Sequence, residues 1–129
     1  MASSPVRGPA SSFDGGAEPE PRLKTGLLVQ AALRLANAQS IAMVVVRRGD
    51  ADAGTLLVKV NRREFGVMVL TQVRTAQGEP AWLRATGPAP IEEAAADAYI
   101  TRQIARDPDL WVIEIDDREG RQLFEGPIL

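Results

Sequence analysis

The octet Arg47-Arg48-Gly49-Asp50-Ala51-Asp52-Ala53-Gly54 places two arginines and two aspartates close together. Residues of these types have three uses. Arginines present planar, paired donors that suit phosphate or carboxylate oxygens. Aspartates offer hard oxygen ligands to a divalent cation, and Asp107 or Asp109 would be further donors. Alternatively, the aspartates bond backbone amides of a tight loop, the arginines balance them, and Gly49 and Gly54 supply dihedrals that other residues avoid. The loop reading is the plainest of the three, and the sequence leaves the other two open. The candidate ligand-binding residues are Arg47, Arg48, Asp50, Asp52 and Arg74, and the candidate metal ligands are Asp50 and Asp52.

Composition narrows the chemistry. The chain has no histidine and no cysteine. Serine–histidine and cysteine–histidine mechanisms are therefore excluded, as are imidazole or thiolate metal sites and disulfides. A metal nuclease of the restriction type wants an acid two residues before a lysine such as Lys59, and that position is Leu57. No glycine-rich phosphate loop precedes a helix, since Gly15-Gly16 falls in the first twenty-one residues. The net charge of −2 gives no pull toward nucleic acid or anionic lipid. No cofactor and no membrane association are expected.

The elements that position these residues follow from patterning. Met1 to Pro21 is rich in Ser, Gly, Pro and Ala and is expected to be a disordered tail, leaving 22–129 as one domain. Leu23–Asn37 reads as a helix capped by Thr25, apolar around most of its wheel and so expected to be largely buried. Ile41–Val46 and Leu56–Val60 read as an antiparallel hairpin about the octet. Phe65–Val73 is a third strand and Pro80–Ala85 a fourth, at an edge because Pro80 cannot donate to a ladder. Apolar residues on both faces put the first and third strands at the centre of the sheet. Ile91–Arg106 is a second helix whose buried face the pattern leaves open, and Leu110–Ile115 and Gln122–Phe124 are two further strands. The fold class is α+β: helix, four-stranded mostly antiparallel sheet, helix, two further strands.

Strand direction then makes one deduction about the octet. The first strand ends at Arg47, the second begins after Gly54, and the third runs with the first and ends at Arg74. Arg47, Arg48, Asp50, Asp52 and Arg74 therefore share one rim of the sheet, and Arg62 and Arg63 lie at the other. Lys59 and Glu114 are expected to meet on the outer face.

With the octet, Asp107-Pro108-Asp109-Leu110-Trp111-Val112-Ile113-Glu114 and the opening Arg22-Leu23-Lys24 together, the chain resembles a small family of alphaproteobacterial proteins catalogued as a domain of unknown function. The resemblance covers about Arg22 to Phe124 and implies a cytoplasmic bacterial protein of one small domain. It brings no catalytic residue. The favoured expectation is a non-catalytic binding or accessory module with a protein partner or a second copy of itself. The alternative is a metal-dependent enzyme or binder acting on a phosphate-containing ligand at the Arg47–Gly54 loop.

Overall fold

The computed structural model describes residues 24–129. The expected tail, residues 1–21, lies outside them. The elements are α1 (Thr25–Ala38), β1 (Ala42–Arg47), β2 (Leu56–Asn61), a 3-10 turn (Arg63–Phe65), β3 (Val67–Arg74), β4 (Pro80–Arg84), α2 (Glu93–Arg106) and β5 (Trp111–Asp116). They form one α+β domain around a five-stranded sheet of order β1-β5-β2-β3-β4.

The sheet corrects the central hairpin. β1 and β2 do run in opposite directions, but they do not touch. β5 lies between them, antiparallel to β1 and parallel to β2, so the sheet is mixed. Two features explain this. Residues 48–55 form an eight-residue connection, longer than hairpin loops usually are and ample to step over one strand. β5 is also apolar on both faces. Trp111, Ile113 and Ile115 join the core beneath α1, while Val112 joins the core beneath α2. Only an interior position covers both sides. β1, expected at the centre, instead forms an edge, and its side chains alternate between exposed and half-buried.

Each helix covers one face. The stripe Val29, Ala32, Ala36 at helical spacing buries α1 against Val58, Ile113 and Ile115. The rest of α1 is not covered as expected, and Leu27 and Leu35 are exposed. In α2 the buried phase is Ala96 and Ile100, facing Leu57, Val69 and Val112.

The expected sixth strand, Gln122–Phe124, is not a strand. Leu123 and Phe124 are buried there, with the Phe124 ring centroid 5.5 Å from that of Trp82. Pairing comes a few residues later. Trp82 N–H donates to the Pro127 carbonyl at 2.9 Å, and Leu129 N–H donates to the Trp82 carbonyl at 2.8 Å. The outer edge of β4 is thereby occupied, and among the described residues none pairs with that of β1.

The strand order predicts a contrast between two truncations. Ile113→Ala, at a fully buried position in β5, should cost about 2–5 kcal/mol. Val44→Ala on β1 should change the stability of the single chain, measured in dilute solution, by less than about 0.5 kcal/mol. Urea unfolding of both variants measures the difference, and equal losses would contradict an interior β5.

Candidate functional site

The octet closes on the start of β5. Arg47 Nη1 donates to the carbonyls of Pro108 and Leu110, 2.9 Å each. The Arg48 guanidinium lies 5.4 Å from the centroid of the Trp111 ring, within cation–π range. Trp111 Nε1 in turn donates to the Asp50 main-chain oxygen at 2.7 Å. The Asp50 carboxylate accepts the Ala53 N–H at 2.8 Å, which folds the loop tip into a turn. Gly49 and Gly54 are needed for close approach rather than for left-handed dihedrals. A Cβ on either would run into the Asp109 carbonyl oxygen and the Trp111 ring.

The same loop receives the start of α1. Thr25 does not cap the helix through its side chain; Lys24 holds the N-cap position without a side-chain bond. Instead the Thr25 hydroxyl donates to the Gly54 carbonyl at 2.7 Å, and Gly26 N–H donates to the Ala51 carbonyl at 2.9 Å. Loop carbonyls thus take up donors that the first helical turn leaves unpaired.

The candidate residues do share one rim, as strand direction requires, but they do not form one cluster. β5 and β2 separate β1 from β3, so the ends of β1 and β3 lie about 14 Å apart at the usual interstrand spacing. Arg48 and Asp50 belong to the Trp111 contact, and Arg47 to the Pro108 and Leu110 carbonyls just before it. Asp52 and Arg74 instead line a cleft of about 160 Å³ with Thr25, Thr55 and Gln72. Asp52 lies 3.6 Å from Lys24 Nζ, and Arg74 donates to the Gly78 carbonyl. Among the described residues, no group of three or more His, Cys, Asp or Glu is placed to hold a metal ion.

A denser charge cluster sits on the α2 face. Lys59 is only 5% exposed. Its Nζ lies 2.7 Å from Glu93, 2.8 Å from Asp97 and 3.7 Å from Glu114. Lys59 and Glu114 are register partners on β2 and β5, as expected, but their face lies under α2 rather than open to solvent. Glu93 and Asp97 stand four apart on α2, on the side that buries Ala96 and Ile100. That spacing was the available signal, and it was silent until the buried phase of α2 was known. Burial pushes the Lys59 pKa down, but hydrogen bonds to Asp97 and Glu93 and the charge of Glu114 outweigh it and hold the value above that of ordinary lysine. The ammonium therefore persists throughout the accessible pH range.

Asp117, just past β5, is 7% exposed. It accepts from Arg121 Nε at 3.0 Å, Arg121 Nη2 at 3.1 Å and the Arg121 N–H at 2.7 Å. Those bonds outweigh burial and lower its pKa to about 2.

Two predictions follow from these charges. Lys59→Met leaves three partly exposed carboxylates facing one another and should cost about 1–3 kcal/mol at pH 7. Urea unfolding of both proteins at pH 7 measures the loss, and an unchanged midpoint would contradict the pairing. Asp117→Asn should lose about 1–2 kcal/mol at neutral pH, allowing for the solvated Arg121. Because the folded pKa is depressed, this contribution is complete above the unfolded value near 3.8 and disappears as pH drops toward 2. Thermal melts of both proteins across that window should converge at the acid end.

Comparison with known proteins places the fold. Residues 23–125 match the family described as "Protein of unknown function (DUF1491)". The chain is similar to a crystal structure of a DUF1491 family protein from Caulobacter crescentus CB15, with a TM-score of 0.75 and 37% identity, over 84% of this chain and 100% of that one. An NMR structure of a DUF1491 family protein from the same organism gives 0.72 and 37%, over 83% and 96%. The solution structure of protein Atu0922 from A. tumefaciens shares the fold, with a TM-score of 0.67 and 24% identity over 80% and 92%. No curated protein matches. Among the described residues, no helix is long and apolar enough to cross a membrane. With its family match over most of its length and its sheet shared by relatives from alphaproteobacteria, the chain belongs to the DUF1491 family.

Proposed function

We propose that this domain is a non-catalytic cytoplasmic binding module that works as a homodimer, pairing through the free edge of β1. The observation that carries this reading is the asymmetry of the sheet. One edge, β4, is occupied by Pro127–Leu129, while among the described residues no segment pairs with the outer amides and carbonyls of β1. Proteins usually guard such an edge with proline, lysine, a very short strand or an inward charge. β1 runs Ala-Met-Val-Val-Val-Arg, with no charge before Arg47, and Val44 and Val46 are 59% and 56% exposed. A bulge between Val45 and Arg47 is the one irregularity, and it lies at the strand's end.

The partner best suited to this edge is a second copy. Antiparallel pairing about a two-fold axis sets Val44 and Val46 of each copy against the other's apolar strand. It also carries the two Arg47-Arg48 ends to opposite sides of the interface, whereas a parallel arrangement would oppose like charges. The absence of imidazole and thiol, the bonds of Arg47 to the Pro108 and Leu110 carbonyls and the contacts of Arg48 and Asp50 with Trp111 support a scaffold role for this end of the molecule.

Light scattering across a concentration series should give twice the chain mass for the native protein. Val44→Lys with Val46→Lys should give the single-chain mass, with a monomer stability changed by no more than about 0.5 kcal/mol. A native protein that stays at single-chain mass at several hundred micromolar would overturn the proposal, as would a doubly substituted protein that remains dimeric.

A further inference from the structure

The two faces of the sheet are covered unequally. Five strands about 4.8 Å apart make a sheet roughly 19 Å across, whereas one helix is about 10 Å wide. On one face α1 is joined by Leu123 and Phe124, which reach Trp82 of β4. On the other, α2 packs on Leu57, Val69 and Val112, from β2, β3 and β5. β1 is uncovered on that second face. Met43 and Val45 turn to the α1 core, while Val44 and Val46 are 59% and 56% exposed. Val44 also opens a row across three strands. Register sets it beside Glu114 of β5, and Glu114 beside Lys59 of β2. The Lys59 ammonium meets Glu93, Asp97 and Glu114, so one positive charge answers three negative ones. Those three carboxylate side chains are 54%, 56% and 31% exposed, and the surplus faces solvent. Arg102 of α2 does not offset it: its guanidinium lies over Tyr99, which lines a cleft with Leu83 on the β4 side. Arg47 closes the end of β1 and spends its Nη1 on the Pro108 and Leu110 carbonyls.

We infer that this face of β1 and β5 docks a basic amphipathic helix of a partner protein, its apolar stripe on Val44 and Val46 and its lysines or arginines on Glu114, Asp97 and Glu93. Room, polarity and charge each enter. Packed helices lie about 8–10 Å apart, so a helix alongside α2 sits over β1 and β5 and completes the layer. Valines beside carboxylates match the apolar and charged stripes that such a helix presents. The surplus of negative charge selects a basic helix and repels an acidic one. The chain's own residues 1–23 are a poor match, since they hold three acids and two bases. Edge pairing of β1 uses the main chain, and side chains stand perpendicular to the sheet. A dimer therefore leaves the strip uncovered, and the inference goes beyond the dimer without requiring it.

The probe is a leucine–lysine peptide with leucines at i, i+3, i+4 and i+7, titrated into the full chain with valine-methyl NMR detection. Saturable shifts are expected at Val44 and Val46. A leucine–glutamate peptide of the same pattern, and a leucine–lysine peptide of the same composition in scrambled order, should each bind at least about tenfold more weakly. Glu114→Gln leaves Lys59 its two shorter pairs and should weaken the first peptide about two- to fivefold. Val44→Thr with Val46→Thr keeps the branched side chains and the main chain of β1, and should weaken it about fivefold or more. No saturable shift at millimolar peptide would overturn the inference, as would equal binding of either control peptide. Nuclear Overhauser contacts from the Val44 and Val46 methyls to residues 1–23 in the free protein would also overturn it, because this chain would then cover the strip itself. Light scattering on the same samples reads the dimer separately, so the failure of one reading is distinguished from the failure of the other.

Discussion

The insertion of β5 between β1 and β2 is the constraint on which the rest of the molecule depends. A strand that is apolar on both faces has to be covered on both, and here α1 covers one face and α2 the other. Once β5 holds that place, β1 is displaced to an edge and the octet has to span the gap. Trp111, the first residue of β5, becomes the post around which the octet wraps. Its ring stacks with Arg48, its Nε1 holds the Asp50 carbonyl, and its Cδ1 leaves room for nothing larger than glycine at positions 49 and 54. The side chains most suggestive of chemistry are thus largely engaged in joining β1, β2, β5 and α1.

Burial of Lys59 follows from the same arrangement. β2 becomes an interior strand flanked by β5 and β3, so a lysine that alternates with Val58 and Val60 finds itself beneath α2. A buried ammonium is tolerable only with paired, hydrogen-bonded carboxylates. Glu93 and Asp97 provide them from the helix and Glu114 from the neighbouring strand. The cluster ties α2 to the sheet by charge where the Ala96 and Ile100 contact ties it by apolar packing. It fixes the helix in register without adding much stability, because the three carboxylates remain partly in water.

Much of this was legible in the sequence. Apolar runs between turn residues located all five strands to within a residue or two, Pro80 marked β4 as near an edge, and strand direction put Arg47 and Arg74 on one rim. Strand order was not legible, because adjacency in the chain suggested a hairpin that the long loop made unnecessary. The exposed face of β1 was hidden for the same reason: Ile41–Val46 looks like an interior strand, and only the placement of α2 over β2, β3 and β5 leaves Val44 and Val46 uncovered. The rim residues were likewise read as a cluster because one-dimensional reasoning fixes which end of the sheet they occupy but not how many strands lie between them.

An open, unguarded β1 edge matched to a second copy is the central claim, and amide hydrogen exchange along β1 tests it most directly. In an edge strand, alternate amides bond to β5 and the others face outward. The outward-facing amides of Ala42–Arg47 should exchange quickly in dilute solution and gain protection as concentration rises, while the amides bonded to β5 stay protected throughout. Outward amides that exchange equally fast at every concentration would contradict the account, and so would outward amides already protected in the monomer.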